Sequence, residues 1–129
     1  MKKLLFLVLS IALFTSCTKD EVKDEQLSGE WYLTNAYCFC LPESEIDINE
    51  FTLSFGNSNQ QVTIGNPAAT YYYIAEDGTY KYNLDNRHIS FEGISPGFTY
   101  SIENDILTLV KIDDPQIADD ELTLVFKKK

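Results

Sequence analysis

Phe98-Thr99-Tyr100-Ser101-Ile102-Glu103-Asn104-Asp105-Ile106-Leu107-Thr108-Leu109-Val110-Lys111 is the stretch that decides the fold. Phe98, Tyr100 and Ile102 alternate with Thr99, Ser101 and Glu103. After the turn residues Asn104-Asp105, Leu107 and Leu109 alternate with Ile106, Thr108 and Val110. A period of two sends successive side chains to opposite faces, so each half reads as a strand rather than a helix. The pair is an antiparallel hairpin.

The same period recurs on both sides of this hairpin. Trp31 and Leu33 alternate with Glu30, Tyr32 and Thr34; Phe51, Leu53 and Phe55 with Thr52 and Ser54; and Val62 and Ile64 flank Thr63. Tyr80, Tyr82 and Leu84 alternate with Lys81 and Asn83, and Leu122, Leu124 and Phe126 with Thr123 and Val125. Tyr71-Tyr72-Tyr73-Ile74 reads as a further strand, apolar on both faces. The runs are rich in β-branched and aromatic residues, as strands are. Turn residues separate them: Gly56-Asn57-Ser58-Asn59, Asp85-Asn86-Arg87, Ser95-Pro96-Gly97, and the hairpin signal Asp77-Gly78. Only Pro42 to Asn49 could hold a helical turn. Eight or nine short strands joined by hairpins form an all-β antiparallel meander, which must close to hide its edges. About eight strands make a small barrel filled by side chains or holding one small ligand. The inward set is expected to include Trp31, Leu33, Phe51, Leu53, Phe55, Val62, Ile64, Leu107, Leu109, Leu122, Leu124 and Phe126.

The chain has 129 residues, enough for one domain, and a formal charge of −10. That charge argues against nucleic acid, which is bound by Lys and Arg displacing counterions. Met1-Lys2-Lys3 followed by the uncharged run Leu4 to Phe14 is too short to span a bilayer, which takes about 20 residues. A basic start, a short apolar run and small residues after it make residues 1–16 a secretory signal peptide.

Leu13-Phe14-Thr15-Ser16-Cys17 resembles the bacterial lipobox, in which small residues precede a Cys that becomes lipidated. The resemblance implies a diacylglyceryl group on Cys17, usually with a further acyl chain such as palmitate on the amine. The alternative is an ordinary signal peptide that leaves Cys17 as a chance thiol. Processing before Cys17 would leave eight basic residues against twenty acidic ones, a formal charge of −12. Lys19-Asp20-Glu21 resembles the surface-export signal of lipoproteins in one branch of Gram-negative bacteria. Residues 17–26 then form the lipidated Cys and an acidic tether, and residues 27–129 the domain.

Leu27-Ser28-Gly29-Glu30-Trp31 resembles the opening of lipocalin-like domains, where a Gly, one residue and a Trp on the first strand close the barrel floor. Leu122 to Lys127 is similar to the closing strand of the short lipocalin-like lipoproteins. The resemblance implies a barrel over residues 27–129 with Gly29 and Trp31 at its floor. It also implies a non-enzymatic protein lipid-anchored in the cell outer membrane, surface-exposed, binding a small apolar ligand or an envelope component. Full-length lipocalins are longer and carry a helix after the last strand, so a smaller interior is expected here. The rival expectation is an accessory subunit that docks a partner protein or a glycan.

Remaining features carry open alternatives. Cys38-Phe39-Cys40 supports a local disulfide, free or intermolecularly paired thiols, or a soft-metal site, though metal would need further ligands. Tyr71, Tyr73, Tyr80, Tyr82 and Tyr100 suggest either an exposed binding face or ordinary cross-strand packing. Asp113, Asp114, Asp119, Asp120 and Glu121 crowd one loop without the spacing of an EF-hand, so a solvated loop is expected over a Ca²⁺ site. His88 reads as a surface residue at a strand start. No nucleophile elbow or acid/base pair stands out, so no catalytic residue, cofactor or metal is assigned.

Overall fold

The computed structural model describes residues 25–38, 47–57, 59–67, 73–116 and 121–129. Eight antiparallel strands follow one another around a closed barrel: β1 (Gly29–Cys38), β2 (Thr52–Phe55), β3 (Gln61–Gly65), β4 (Gly78–Asp85), β5 (His88–Phe91), β6 (Phe98–Glu103), β7 (Ile106–Lys111) and β8 (Leu122–Lys128). Each strand pairs with its sequence neighbour, and β1 pairs with β8 to close the ring.

Every residue of the expected inward set is buried, and Leu27, Tyr82, Ile89, Phe91 and Phe98 join it. The apolar interior and the largely polar wall reverse the pattern of a membrane-spanning barrel, whose outer band is apolar. One irregularity sets the phase of β1. Leu33 pairs with Phe126 and Asn35 with Val125, so Thr34 is an extra, bulged residue. Its hydroxyl donates to the Val125 carbonyl at 3.0 Å. Beyond the bulge, inward positions switch from odd to even numbers, so Ala36 packs on the core and Tyr37 faces out, 61% exposed.

The two ends of the barrel differ. At the floor, two-residue turns join β4 to β5 and β6 to β7. Asn86 and Arg87, and Asn104 and Asp105, all have positive φ between 46° and 68°, the backbone that matches a hairpin's twist. The chain enters at this end through a 3-10 turn, Glu25–Leu27. At the opposite rim the longer connections 39–51, 66–77, 92–97 and 112–121 join the strands.

Ahead of β1, Leu27 is fully buried and the Gln26 carbonyl accepts from Lys128. Several expectations need correction. Tyr73 and Ile74 are bends rather than part of a strand. Apolar on both faces, they pack on the core. Asp77-Gly78 does not turn between two strands. Gly78 pairs with Ile64 as the first residue of β4, and the Asp77 carboxylate accepts from the Asn66 backbone N–H. The strand expected to start at His88 is there and short, His88-Ile89-Ser90-Phe91, and it rather than the tyrosine run is one of the eight. The expected helical turn is three residues of 3-10 helix at Ile48–Glu50, with the Asp47 carboxylate accepting from the Asn49 N–H at 3.0 Å.

Candidate functional site

Three places could carry function: the floor, the rim and the wall. The floor is built around Trp31, which is 0% exposed. Its indole N–H donates to the Leu27 carbonyl at 2.8 Å, satisfying a buried donor and tying the 3-10 turn across the barrel end. Lys128 lies over the ring, its Nζ 5.4 Å from the centroid, and also donates to the Gln26 carbonyl at 3.4 Å. Gly29 makes this arrangement possible. Its φ is +115°, and a Cβ there would sit 3.1 Å from Lys128 Cε. The Gly-x-Trp spacing therefore has a mechanical reason: the missing side chain leaves room for the lysine stem above the indole. Lys129 pairs with Glu30 at 2.7 Å in the open, where such a bridge contributes little.

At the rim, Tyr73, Ile74 and Ala75 pack on the core beside Asn66. Tyr73 meets Phe51 edge to face, with ring centroids 4.9 Å apart. Burial raises the Tyr73 phenol above its ordinary pKa of 10. Asn66, the buried polar residue here, donates through Nδ2 to the Ala75 carbonyl at 3.2 Å. The Tyr80 hydroxyl donates to the Glu76 carbonyl at 2.9 Å. Here lies a narrow apolar cleft between Leu33, Phe51, Leu53, Ile64, Tyr73 and Ile74. Its free space for water is about 10 Å³, room for roughly one molecule.

On the wall, Asn59, Gln60, Lys81, Asn83, Ser90 and Glu92, with Tyr82 and Phe91 at its base, line an open polar groove of about 470 Å³. The groove is lined mostly by polar side chains.

The tyrosines named from sequence do not share an exposed face. Tyr82 is 5% exposed and stacks edge to face on Phe55 at 5.2 Å. Tyr73, Tyr80 and Tyr100 are half-buried against the core, while Tyr71 lies outside the described residues. Alternation explains this: Tyr80, Tyr82 and Leu84 occupy the inward positions of β4, with Lys81 and Asn83 outside. Among the described residues the exposed tyrosine is Tyr37, placed outward by the bulge.

Cys38 is disulfide-bonded, so the free-thiol alternative does not hold for it. Cys17 and Cys40 lie outside the described residues, as do Asp119 and Asp120 and residues 1–24 with the signal peptide. Among the described residues no group of three His, Cys, Asp or Glu could hold a metal ion. Asp114 is taken up locally, its carboxylate accepting from the Gln116 N–H at 2.9 Å. His88 is exposed at the start of β5, paired with Asp85 and Thr99.

Sequence reasoning did not anticipate Leu27, Gln26 and Lys128 at the floor, or the Asn66–Asp77 clasp at the rim. The usable signal at the floor was Gly29 itself, since a glycine beginning a strand marks a close approach. No protein-family model matches the chain, and no curated protein is significantly similar to it.

Proposed function

We propose that this chain is a non-enzymatic, lipocalin-like lipoprotein, anchored through acylated Cys17 in the cell outer membrane and facing outward. Its domain serves as an accessory module that docks an envelope partner, protein or glycan, with its outside. The observation that carries this reading is the close packing of the interior among the described residues. Trp31, Leu33, Leu53, Phe55, Phe91, Phe98 and Phe126 meet inside the barrel, and the apolar cleft has room for about one water. A carrier of small apolar molecules needs a pocket of roughly 300–1,000 Å³. A packed core instead makes a rigid post that holds long connections at one end, where binding residues are disproportionately found.

The test is gentle extraction of the full acylated chain followed by mass spectrometry of what accompanies it. A protein or glycan near one per chain is expected. A small apolar molecule at one per chain, with no macromolecule, overturns the reading.

The ligand-binding alternative keeps one observation in its favour: the rim cleft is apolar, and Tyr73 and Ile74, which lie outside any strand, line it. If these two residues move aside, a fluorescent fatty acid should bind the purified domain saturably, and Phe51→Ala should weaken binding. Absence of saturable binding removes this alternative.

A further inference from the structure

The charges of this chain are sorted between the two ends of the barrel. At the floor, Arg87, Lys127, Lys128 and Lys129 stand among Glu25, Glu30, Asp85, Glu103 and Asp105, so the end is close to neutral. At the rim, the described residues of the four connections carry Asp47, Glu50, Glu76, Asp77, Glu92, Asp113, Asp114 and Glu121. The full sequence of those connections contains no Lys, Arg or His. Lys111, the last residue of β7, is the basic residue nearest them.

The chain also enters the barrel at the floor. From Cys17 to Glu25 there are eight peptide steps, at most about 28 Å fully stretched. The ten residues of β1 give a wall roughly 23 Å tall at the usual strand tilt. Turning the rim toward a membrane would therefore need the tether near full extension, at a large loss of chain freedom. It would also press the acidic rim against the lipid.

From these two asymmetries we infer that the floor is the membrane-facing end of the protein, and that the acidic rim is held away from an anionic lipid surface by its own charge. This rests on the Cys17 anchor. Repulsion orients the barrel, the near-neutral floor tolerates the headgroups, and the rim is the end presented to partners. Like any exposed electrostatic effect, the preference weakens with salt, since screening acts over about 10 Å at 0.1 M.

The experiment uses the acylated full chain on vesicles of phosphatidylcholine, alone or mixed with phosphatidylglycerol, at low salt and with dansyl-labelled headgroups as energy acceptor. Trp31, the single tryptophan, is a ready donor at the floor. A Trp31→Phe/Gln116→Trp double variant moves the donor to the rim. Transfer from the floor donor should exceed that from the rim donor several-fold. The gap should widen with phosphatidylglycerol and shrink with added salt. Replacing four of the eight described rim acids (Glu76→Gln, Asp113→Asn, Asp114→Asn, Glu121→Gln) should weaken the dependence on phosphatidylglycerol, and an unchanged dependence would count against the rim charge. Equal transfer from the two donors, or more from the rim, on a protein that sediments with vesicles sinks the orientation and leaves the anchor standing. A chain that fails to sediment, like Cys17→Ser, sinks the anchor and the orientation with it. The wild-type arm needs no substitution. If the double variant does not fold, Trp31 transfer that ignores phosphatidylglycerol and salt overturns the inference by itself.

Discussion

Replacing Trp31 by Ala should be among the most damaging single changes in this protein. The indole is fully buried, its N–H is bonded to the Leu27 carbonyl, and Lys128 lies on its face. Truncating a buried Trp to Ala typically costs about 3–5 kcal/mol. The orphaned Leu27 carbonyl and the lost cation–π contact each add up to about 1 kcal/mol, though such contributions overlap. A total of about 4 kcal/mol is a large share of the roughly 5–15 kcal/mol that holds a typical domain folded. For a domain of this size it corresponds to about 15–30 °C in Tm. Because Trp31 is the only tryptophan, unfolding is best followed by far-UV circular dichroism in urea rather than by fluorescence. Two further variants divide the effect. Trp31→Phe keeps most of the packing and removes the donor, and should cost about 1–3 kcal/mol. Lys128→Met keeps a similar stem over the ring without its charge, and should cost about 0.5–1 kcal/mol. A loss below about 1 kcal/mol for Trp31→Ala would show that the floor is not a stabilising element and refute the reasoning.

Other expectations follow from single observations. Cys17→Ser should move the protein from the membrane to the soluble fraction, and membrane retention of that variant would remove the anchor from the argument. A Cβ on Gly97 would approach the Ile89 carbonyl to 2.8 Å, at the seam where β5 and β6 share two registered pairs. Gly97→Ala should therefore cost about 1–3 kcal/mol in urea unfolding, and an unchanged midpoint would contradict the close approach. Gly65→Ala meets only the Thr52 hydroxyl, which can rotate, and should cost less in the same assay. Burial raises the Tyr73 pKa, so the folded state holds that proton more tightly than the unfolded chain. Its contribution is complete below the ordinary pKa of about 10 and declines as pH rises through the folded value. Tyr73→Phe should flatten the alkaline fall in stability, and identical pH profiles would show that Tyr73 plays no part in it.

How far the fold could be read in advance depended on what each residue's alternation implied. Where apolar and polar residues alternate cleanly, as in Leu53-Ser54-Phe55 or Leu122 to Phe126, the buried face was legible. Three signals were not. β5 is four residues long, so its start at His88 could be named but period two had no room to show its buried face. Tyr73 and Ile74 look like strand residues, but their apolar character packs them on the core outside any strand. The bulge at Thr34 breaks the phase of β1, because an extra residue is defined by its partner strand and leaves no mark in its own. At the floor, Gly29 and Trp31 could be named beforehand. Lys128 could not, since its contact joins positions about a hundred residues apart. The tyrosines show the limit of counting: a high number suggested a binding face, whereas their positions on alternating strands put most of them against the core.

The ring of neighbouring pairs has one exception, the β1–β8 seam, and it governs how the molecule comes into being. Seven pairings join strands that are consecutive in the chain, across connections of at most 13 residues. The eighth must bring together the first and last strands of the chain, whose union is entropically the most demanding. Until Leu122–Lys128 has arrived, β1 has an open edge, Lys128 cannot cover Trp31, and the floor cannot close. A chain made N-terminus first thus waits for Leu122–Lys128 before its barrel can close.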